Sequence, residues 1–234
     1  MRNFFGRKNG DKIVIENEEF NHLKNVLRLG VGGEILVSLN DEFAYHCVIE
    51  MMNKNFAECR EIEKHKCEAN PQKNVVLFQA IAKREKFDFI LQKATEIGIT
   101  RIVPFASEYC VVKKVDEKKN RYDAVFMNAC KQCERTIMPI LDSTKSVKEV
   151  AQEFKHFDVV LFANERTKSQ EKIKDLEKFQ NIAIIVGAEG GFTQAEKDVF
   201  EKAGAISISL GKRIFRCETA AVAMMSLVSI MSGN

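Results

Sequence analysis

Two short runs without a polar residue, Val159–Ala163 and 182–186, constrain this chain more than any other feature. Five residues are too few for an ordinary buried helix, and a strand apolar at every position must be covered on both faces. These runs predict strands inside a largely parallel sheet. Residues 74–82 form a third strand-like run and 102–105 a fourth. Between those two, Phe87, Ile90, Leu91, Ala94 and Ile97 recur at helical spacing, with Gly98 placed to stop the helix. A further helix is predicted over 118–135. Strands alternating with helices make the region after Pro71 an α/β domain.

The first seventy residues read differently. Phe43, Tyr45, Cys47 and Ile49 alternate with Ala44, His46, Val48 and Glu50, the period of a half-buried strand. Residues 35–39 and 55–62 look like further strands, and Gly30, Gly32, Gly33, Asn40 and Asp41 supply turns. The expectation is a small β-barrel over 1–70, a linker over 64–73, and a larger α/β domain over 71–234. The first residues hold no apolar core of signal-peptide length, so the chain is expected to be cytoplasmic, with its seven cysteines reduced. The longest apolar stretch, 220–231, falls short of the ~20 residues of a membrane-spanning helix and predicts a buried helix. Net charge is +3, with 10 basic and 12 acidic residues up to residue 70 and 26 and 21 beyond it. That mild basic tilt neither requires nor excludes nucleic acid.

Chemistry concentrates in two glycine-containing turns. The first, IIVGAEGGFT at 184–193, carries a strand into Gly187, Gly190 and Gly191. Thr193 followed by Glu196 has the spacing of a capping box, so a helix starts there, and Gly204 suits its end. Glycines let backbone approach a ligand closely, and loops after the carboxyl ends of parallel strands form the usual ligand crevice. A tight turn without a ligand is the alternative. The second turn, LGKRIFRCETA at 210–220, joins a strand over 205–210 to the final helix. Lys212, Arg213 and Arg216 beside Glu218 and Thr219 at a helix start suit an anionic ligand, or Arg216 and Glu218 pair with each other. Cys130 and Cys133 have metal or redox spacing, but they lie within a predicted helix and lack a second pair, so no metal is expected. The mixed-sign run 113–119 reads as a solvated loop.

Taken together, these turns resemble the GPEGGF and LGxRILRxETA signatures of the RsmE-type 16S ribosomal-RNA uridine-N3 methyltransferases, members of the SPOUT superfamily. QKATEIG at 92–98 is similar to the family's QKATELG, with Lys83 ahead of it and Pro104 after it. QCER at 132–135 resembles its EQxxR, and His22 with Val26, Leu27 and Arg28 resembles its H-x-x-x-VLR. The resemblance runs through essentially the whole chain in the family's order. Departures are Ala188 in place of Pro, Lys131 of Glu, Phe215 and Cys217 of Leu and Thr, and Tyr109 of Arg.

The resemblance implies an N-terminal PUA-like β-barrel that binds RNA and a C-terminal SPOUT-type parallel sheet whose chain end threads a trefoil knot. It implies S-adenosylmethionine as cofactor, a homodimer, and 16S ribosomal RNA or the small ribosomal subunit as partner, with no membrane and no metal. Gly187, Glu189, Gly190 and Gly191 would form one wall of the cofactor pocket, and Leu210, Gly211, Ile214, Cys217, Thr219 and Ala220 the other. Arg216 would stabilise an anionic uracil and Glu218 would be the base. His22, Arg28, Lys83, Lys93, Gln132 and Arg135 would face the RNA. The alternatives are a knotted methyltransferase acting on another RNA and a non-enzymatic RNA-binding protein.

Overall fold

The computed structural model describes residues 2–115, 119–164 and 175–234. Contacts divide the chain into two compact units, Met1–Asn70 with Cys130–Met138, and Pro71–Ala129 with Pro139–Asn234.

The first unit is one curled sheet. Its strands are β1 (Asn3–Phe5), β2 (Arg7–Asn9), β3 (Lys12–Glu16), β4 (Glu34–Ser38), β5 (Phe43–Met52) and β6 (Phe56–Lys66). They lie in the order β1-β4-β5-β6-β3-β2, antiparallel except for the β1–β4 pair. The edge strands β1 and β2 are separated in the chain by Gly6 alone, so the sheet curls into a half-barrel. The alternation read in β5 is realised: Tyr45, Cys47 and Ile49 are buried, and they pack with Phe4, Ile13, Ile15, Ile35 and Val37. Strands β1 to β3 were not anticipated: β1 and β2 have three residues each, and β3 has only three apolar residues between two charges. β6 runs on to Lys66, so the expected linker begins as strand. After β3 a short helix, α1 (Asn17–Asn21), passes into a π-helical turn over His22–Val26. The segment Cys130–Met138 is tied into this unit by the Asn70 carboxamide, which accepts from the Thr136 N–H at 3.0 Å and donates to its hydroxyl at 2.7 Å.

The second unit carries a wholly parallel sheet. Its strands are β7 (Asn74–Ala80), β8 (Arg101–Ala106), β9 (Ile140–Leu141), β10 (Lys145–Ser146), β11 (Val159–Ala163), β12 (Asn181–Val186) and β13 (Ile206–Ile208). The order is β10-β8-β7-β12-β11-β13, with β9 also on β8. Helices are α2 (Arg84–Ile97), α3 (Lys119–Cys133), α4 (Val147–Glu153), α5 (Gln194–Lys202) and α6 (Cys217–Ser232). The apolar runs Val159–Ala163 and 182–186 are the interior strands β11 and β12. Gly98 ends α2 in the left-handed region, and the Ile99 N–H closes on the Ala94 carbonyl at 2.9 Å. The strand expected over 205–210 spans only Ile206–Ile208, and α4, started by a Ser146–Glu149 capping box, was not anticipated. Residue 118 of the helix predicted over 118–135, and 116–118 of the run read as a loop, lie outside the described residues.

α6 differs from expectation in its surroundings. Ala221, Met224, Met225 and Val228 are buried, but Ile230 on the same helix is 82% exposed. Composition alone shows that such a helix can be buried all round; it cannot show that neighbouring elements cover one stripe only. Among the described residues no helix is long and apolar enough to cross a membrane, and no group of side chains is arranged to hold a metal ion.

Candidate active site

β12, β11 and β13 are neighbours, and the loops leaving their carboxyl ends enclose a cavity of about 270 Å³. Asn164 follows β11, Val186 ends β12 and residues 187–192 follow it, and Leu210, Gly211, Arg213, Ile214 and Phe215 follow β13, with Cys217 and Ala220 of α6 completing the lining. Every expected pocket residue lines this cavity except Thr219, which stands exposed on the first turn of α6.

The wall after β12 is held from several directions. Gly191 has φ +68°, a conformation that side chains disfavour, and its N–H returns to the Ala188 carbonyl at 2.9 Å. A Cβ on Gly190 would lie 2.7 Å from the Cβ of Tyr109, so only glycine fits there. Phe192 turns inward, 8% exposed, with its ring centroid 5.4 Å from Phe200, 6.3 Å from Phe162 and 6.4 Å from Phe105. The capping box forms as predicted: the Glu196 N–H donates to the Thr193 hydroxyl at 3.2 Å, and the Thr193 N–H to Glu196 Oε2 at 2.9 Å. Glu196 Oε1 also accepts from the Glu108 N–H at 2.8 Å, which fixes the loop carrying Tyr109. Gln79, fully buried at the end of β7, donates its amide to the carbonyls of Gly187 and Ala80 at 3.2 and 2.9 Å.

The wall after β13 is open to solvent. Gly211 to Ile214 are exposed, and Ile214 is 83% exposed. Arg216 is the extended residue that precedes α6, and its carbonyl accepts the Ala220 N–H at 2.8 Å.

The ionic partner of Glu218 is Lys86 rather than Arg216. Lys86 Nζ, on the first turn of α2, lies 3.7 Å from Glu218 Oε2 and 3.2 Å from Glu189 Oε1. The Lys83 N–H adds a 3.4 Å contact to the same Glu189 oxygen, and the Cys217 thiol donates to Glu218 Oε2 at 3.2 Å. Burial works to raise the Glu218 carboxyl, but its own N–H, the Cys217 thiol, Lys86 and Arg216 outweigh it and hold the group below its ordinary range. Glu189 is likewise held low: burial opposes the shift, while backbone N–H groups and Lys86 win. Burial, reinforced by Glu218 and Glu189, pushes the Cys217 thiol up to about 12, so it stays protonated and serves as a donor.

The residues expected to face RNA are distributed over both units. In the first, Arg28 and Gln132 are exposed, His22 is half-buried with its ring 6.0 Å from Phe4, and Arg135 is buried at 2% exposure. Burial lowers the pKa of Arg135, opposed by Cys130, Cys133 and Cys67. In the second, Lys83 is exposed and Lys93 is engaged with Glu96 at 2.8 Å. Lys131, where the family pattern has Glu, pairs with Glu19 at 2.6 Å. Sequence reasoning missed Lys86, Gln79 and Tyr109 as parts of the site. Lys86 stands three residues after Lys83, one helical turn on, a signal that was there to be used.

A backbone-rich pocket at the carboxyl ends of a parallel sheet, in a chain that also carries a small curled sheet, defines a two-domain RNA-methyltransferase architecture. Residues 68–229 match the family described as RNA methyltransferase domain, and 15–62 the RNA methyltransferase PUA domain. The ribosomal RNA small subunit methyltransferase E of Mesomycoplasma hyopneumoniae (strain 232) is 36% identical over 228 residues, covering 96% of this chain and 97% of that protein. The Bacillus subtilis (strain 168) protein of the same name is 29% identical, over 92% of this chain and 88% of that one. The crystal structure of the Neisseria gonorrhoeae protein of that name, bound to S-adenosyl methionine, superposes with a TM-score of 0.88 at 26% identity, covering 98% and 97% of the two chains. The chain belongs to the ribosomal RNA small subunit methyltransferase E family.

Proposed function

We propose that this chain transfers the methyl group of S-adenosylmethionine to N3 of a uridine in 16S ribosomal RNA. The observation that carries the reading is the pocket itself, built from the two family loops at the carboxyl ends of β12 and β13, which flank β11 in the sheet. Its donor set fits the cofactor: backbone groups of 187–191 and 210–211 for polar edges, and Val186, Leu210, Ile214 and Phe215 for an apolar ring. Its volume lies near the lower end of the roughly 300–1,000 Å³ of small-molecule sites. When bound, the cofactor supplies an already activated methyl group, so the protein's task is mainly to position the acceptor.

Uridine N3 is a weakly acidic imide nitrogen and must lose its proton before or during attack. Arg216, exposed at the residue that precedes α6, stabilises the negative charge that develops on the uracil oxygens. Glu218 is ionised at neutral pH and so free to accept the proton. Its depressed pKa makes it a weak base, which fits a proton transferred late, as charge builds beside Arg216. Arg28 and His22 of the PUA-like unit serve RNA docking, as do Lys83 and Gln132 on exposed positions. The protein works in the cytoplasm as a homodimer, a reading supported by the superfamily resemblance, with Ile230 as the apolar residue that α6 leaves exposed for a partner.

The test is mass mapping of modified nucleotides in small-subunit ribosomal RNA from a strain lacking this gene, with and without the restored gene. Loss and recovery of one N3-methyluridine is expected. An unchanged modification map would overturn the RNA assignment, and no heat of binding on titration with S-adenosylmethionine would overturn the enzyme reading.

A further inference from the structure

Lys86 belongs to neither glycine turn, yet its ammonium touches a carboxylate from each. Glu189 reaches it from the loop after β12 and Glu218 from the start of α6, while Lys86 itself rides on the first turn of α2. Three chain segments far apart in sequence therefore meet at one charge. The three side chains are only 30%, 27% and 18% exposed. Without Lys86 two carboxylates would stand close together with one ammonium fewer between them, and like charges in a partly desolvated place repel.

We propose that Lys86 is a positioning residue that clamps the two walls of the pocket together through Glu189 and Glu218. The clamp rests on the reading of this pocket as the cofactor site, and it acts before any RNA arrives. The ammonium closes the gap between a loop already anchored by Phe192 and a helix start whose preceding loop is exposed. It also keeps Glu218 ionised and oriented, so its loss reaches the chemistry through Glu218 rather than by contact with substrate. The side-chain reading is specific: a lysine or arginine can bridge two carboxylates, whereas an isosteric methionine can only fill the space.

The experiment uses the whole protein with Lys86→Met, Lys86→Arg, Glu189→Gln and the Lys86→Met/Glu189→Gln pair. Hydrogen–deuterium exchange on the ligand-free protein should rise in Lys86→Met in peptides covering 187–193 and 210–219, with the strands β7, β8 and β11 unchanged. Calorimetric titration with S-adenosylmethionine should show affinity about three- to tenfold weaker, the scale of two partly exposed ion pairs. Lys86→Arg should restore both readouts. The double variant should lose little more than Lys86→Met alone, because Lys86→Met already breaks the Glu189 contact. Unchanged exchange in either loop, exchange raised throughout the domain, or additive losses in the double variant would each overturn the clamp. None of these readouts depends on Glu218 acting as a base, so that assignment and this one stand or fall separately.

Discussion

Phe192 offers the sharpest test of how the pocket is held. Its ring closes the glycine turn onto the core, with Phe105, Phe162 and Phe200 at 5.4 to 6.4 Å between centroids. Phe192→Ala removes those contacts and leaves a void beside Phe200. Buried Phe-to-Ala changes cost about 3–5 kcal/mol. Phe192 keeps 8% of its surface in solvent and sits at a loop that can settle inward, which favours the lower end, about 3 kcal/mol. For a protein of this size each kcal/mol moves Tm by about 2–4 °C, so a fall of about 6–12 °C is expected. Because the same ring fixes the backbone of 187–191, affinity for S-adenosylmethionine should fall as well, by about tenfold, which corresponds to about 1.4 kcal/mol of the loss appearing at the ligand. Phe192→Leu keeps an apolar side chain of useful volume and should recover about half of each effect. The assays are a thermal melt followed by circular dichroism and a calorimetric titration. A Phe192→Ala protein that melts within about 2 °C of wild type and binds the cofactor equally well would refute the anchoring argument.

Two further perturbations separate the remaining roles. Glu218 has its folded pKa below its ordinary value, so the ionised form is present above the ordinary carboxylate range and is lost only as pH falls through the lower, folded value. Single-turnover methylation should therefore stay flat from neutral pH down past about pH 5, and Glu218→Gln should slow it by about 10²–10⁴-fold at neutral pH. A near-wild-type rate at all pH values would remove Glu218 from the chemistry. Arg28→Ala should weaken RNA binding, reduce its dependence on salt concentration by about one unit of log–log slope, and leave cofactor affinity intact. Equal loss of RNA and cofactor binding would point instead to a folding defect.

Much of the second unit was legible because its signals are local. A five-residue apolar run can be read as an interior strand, as β11 and β12 are, because no other short element tolerates burial on both faces. Gly98 and the Thr193–Glu196 box were readable because caps need particular residues at fixed offsets. The first three strands were not. Arg7–Asn9 is exposed throughout, and its pairing with β3 is a property of the tight reversal at Gly10 and Asp11, not of any alternation. The burial of Arg135 was not legible for a different reason: a cation just after a polar helix end reads as exposed, and only tertiary structure buries it. Lys86 was marked only by its place one helical turn after Lys83, because an ion pair across more than a hundred residues adds no local pattern of its own.

The two walls of the pocket are unequal in a way that bears on function. The loop after β12 contributes Ala188 and Phe192 to the core, receives Gln79 from below, and runs directly into a capped helix. The loop after β13 contributes no residue to that core. Its local support among the described residues is a turn in which the Ser209 hydroxyl accepts the Gly211 N–H at 3.3 Å. A rigid wall can recognise the unchanging edges of a cofactor through backbone groups at almost no cost in ordering. The exposed wall carries Arg213 and Ile214, which also line the cavity, so a ligand that fills the cavity must order them. The cost of ordering the site therefore falls on 211–216. Affinity for the cofactor should therefore draw on both walls, with the loop that Phe192 anchors ordered beforehand and the exposed residues 211–214 ordered on binding.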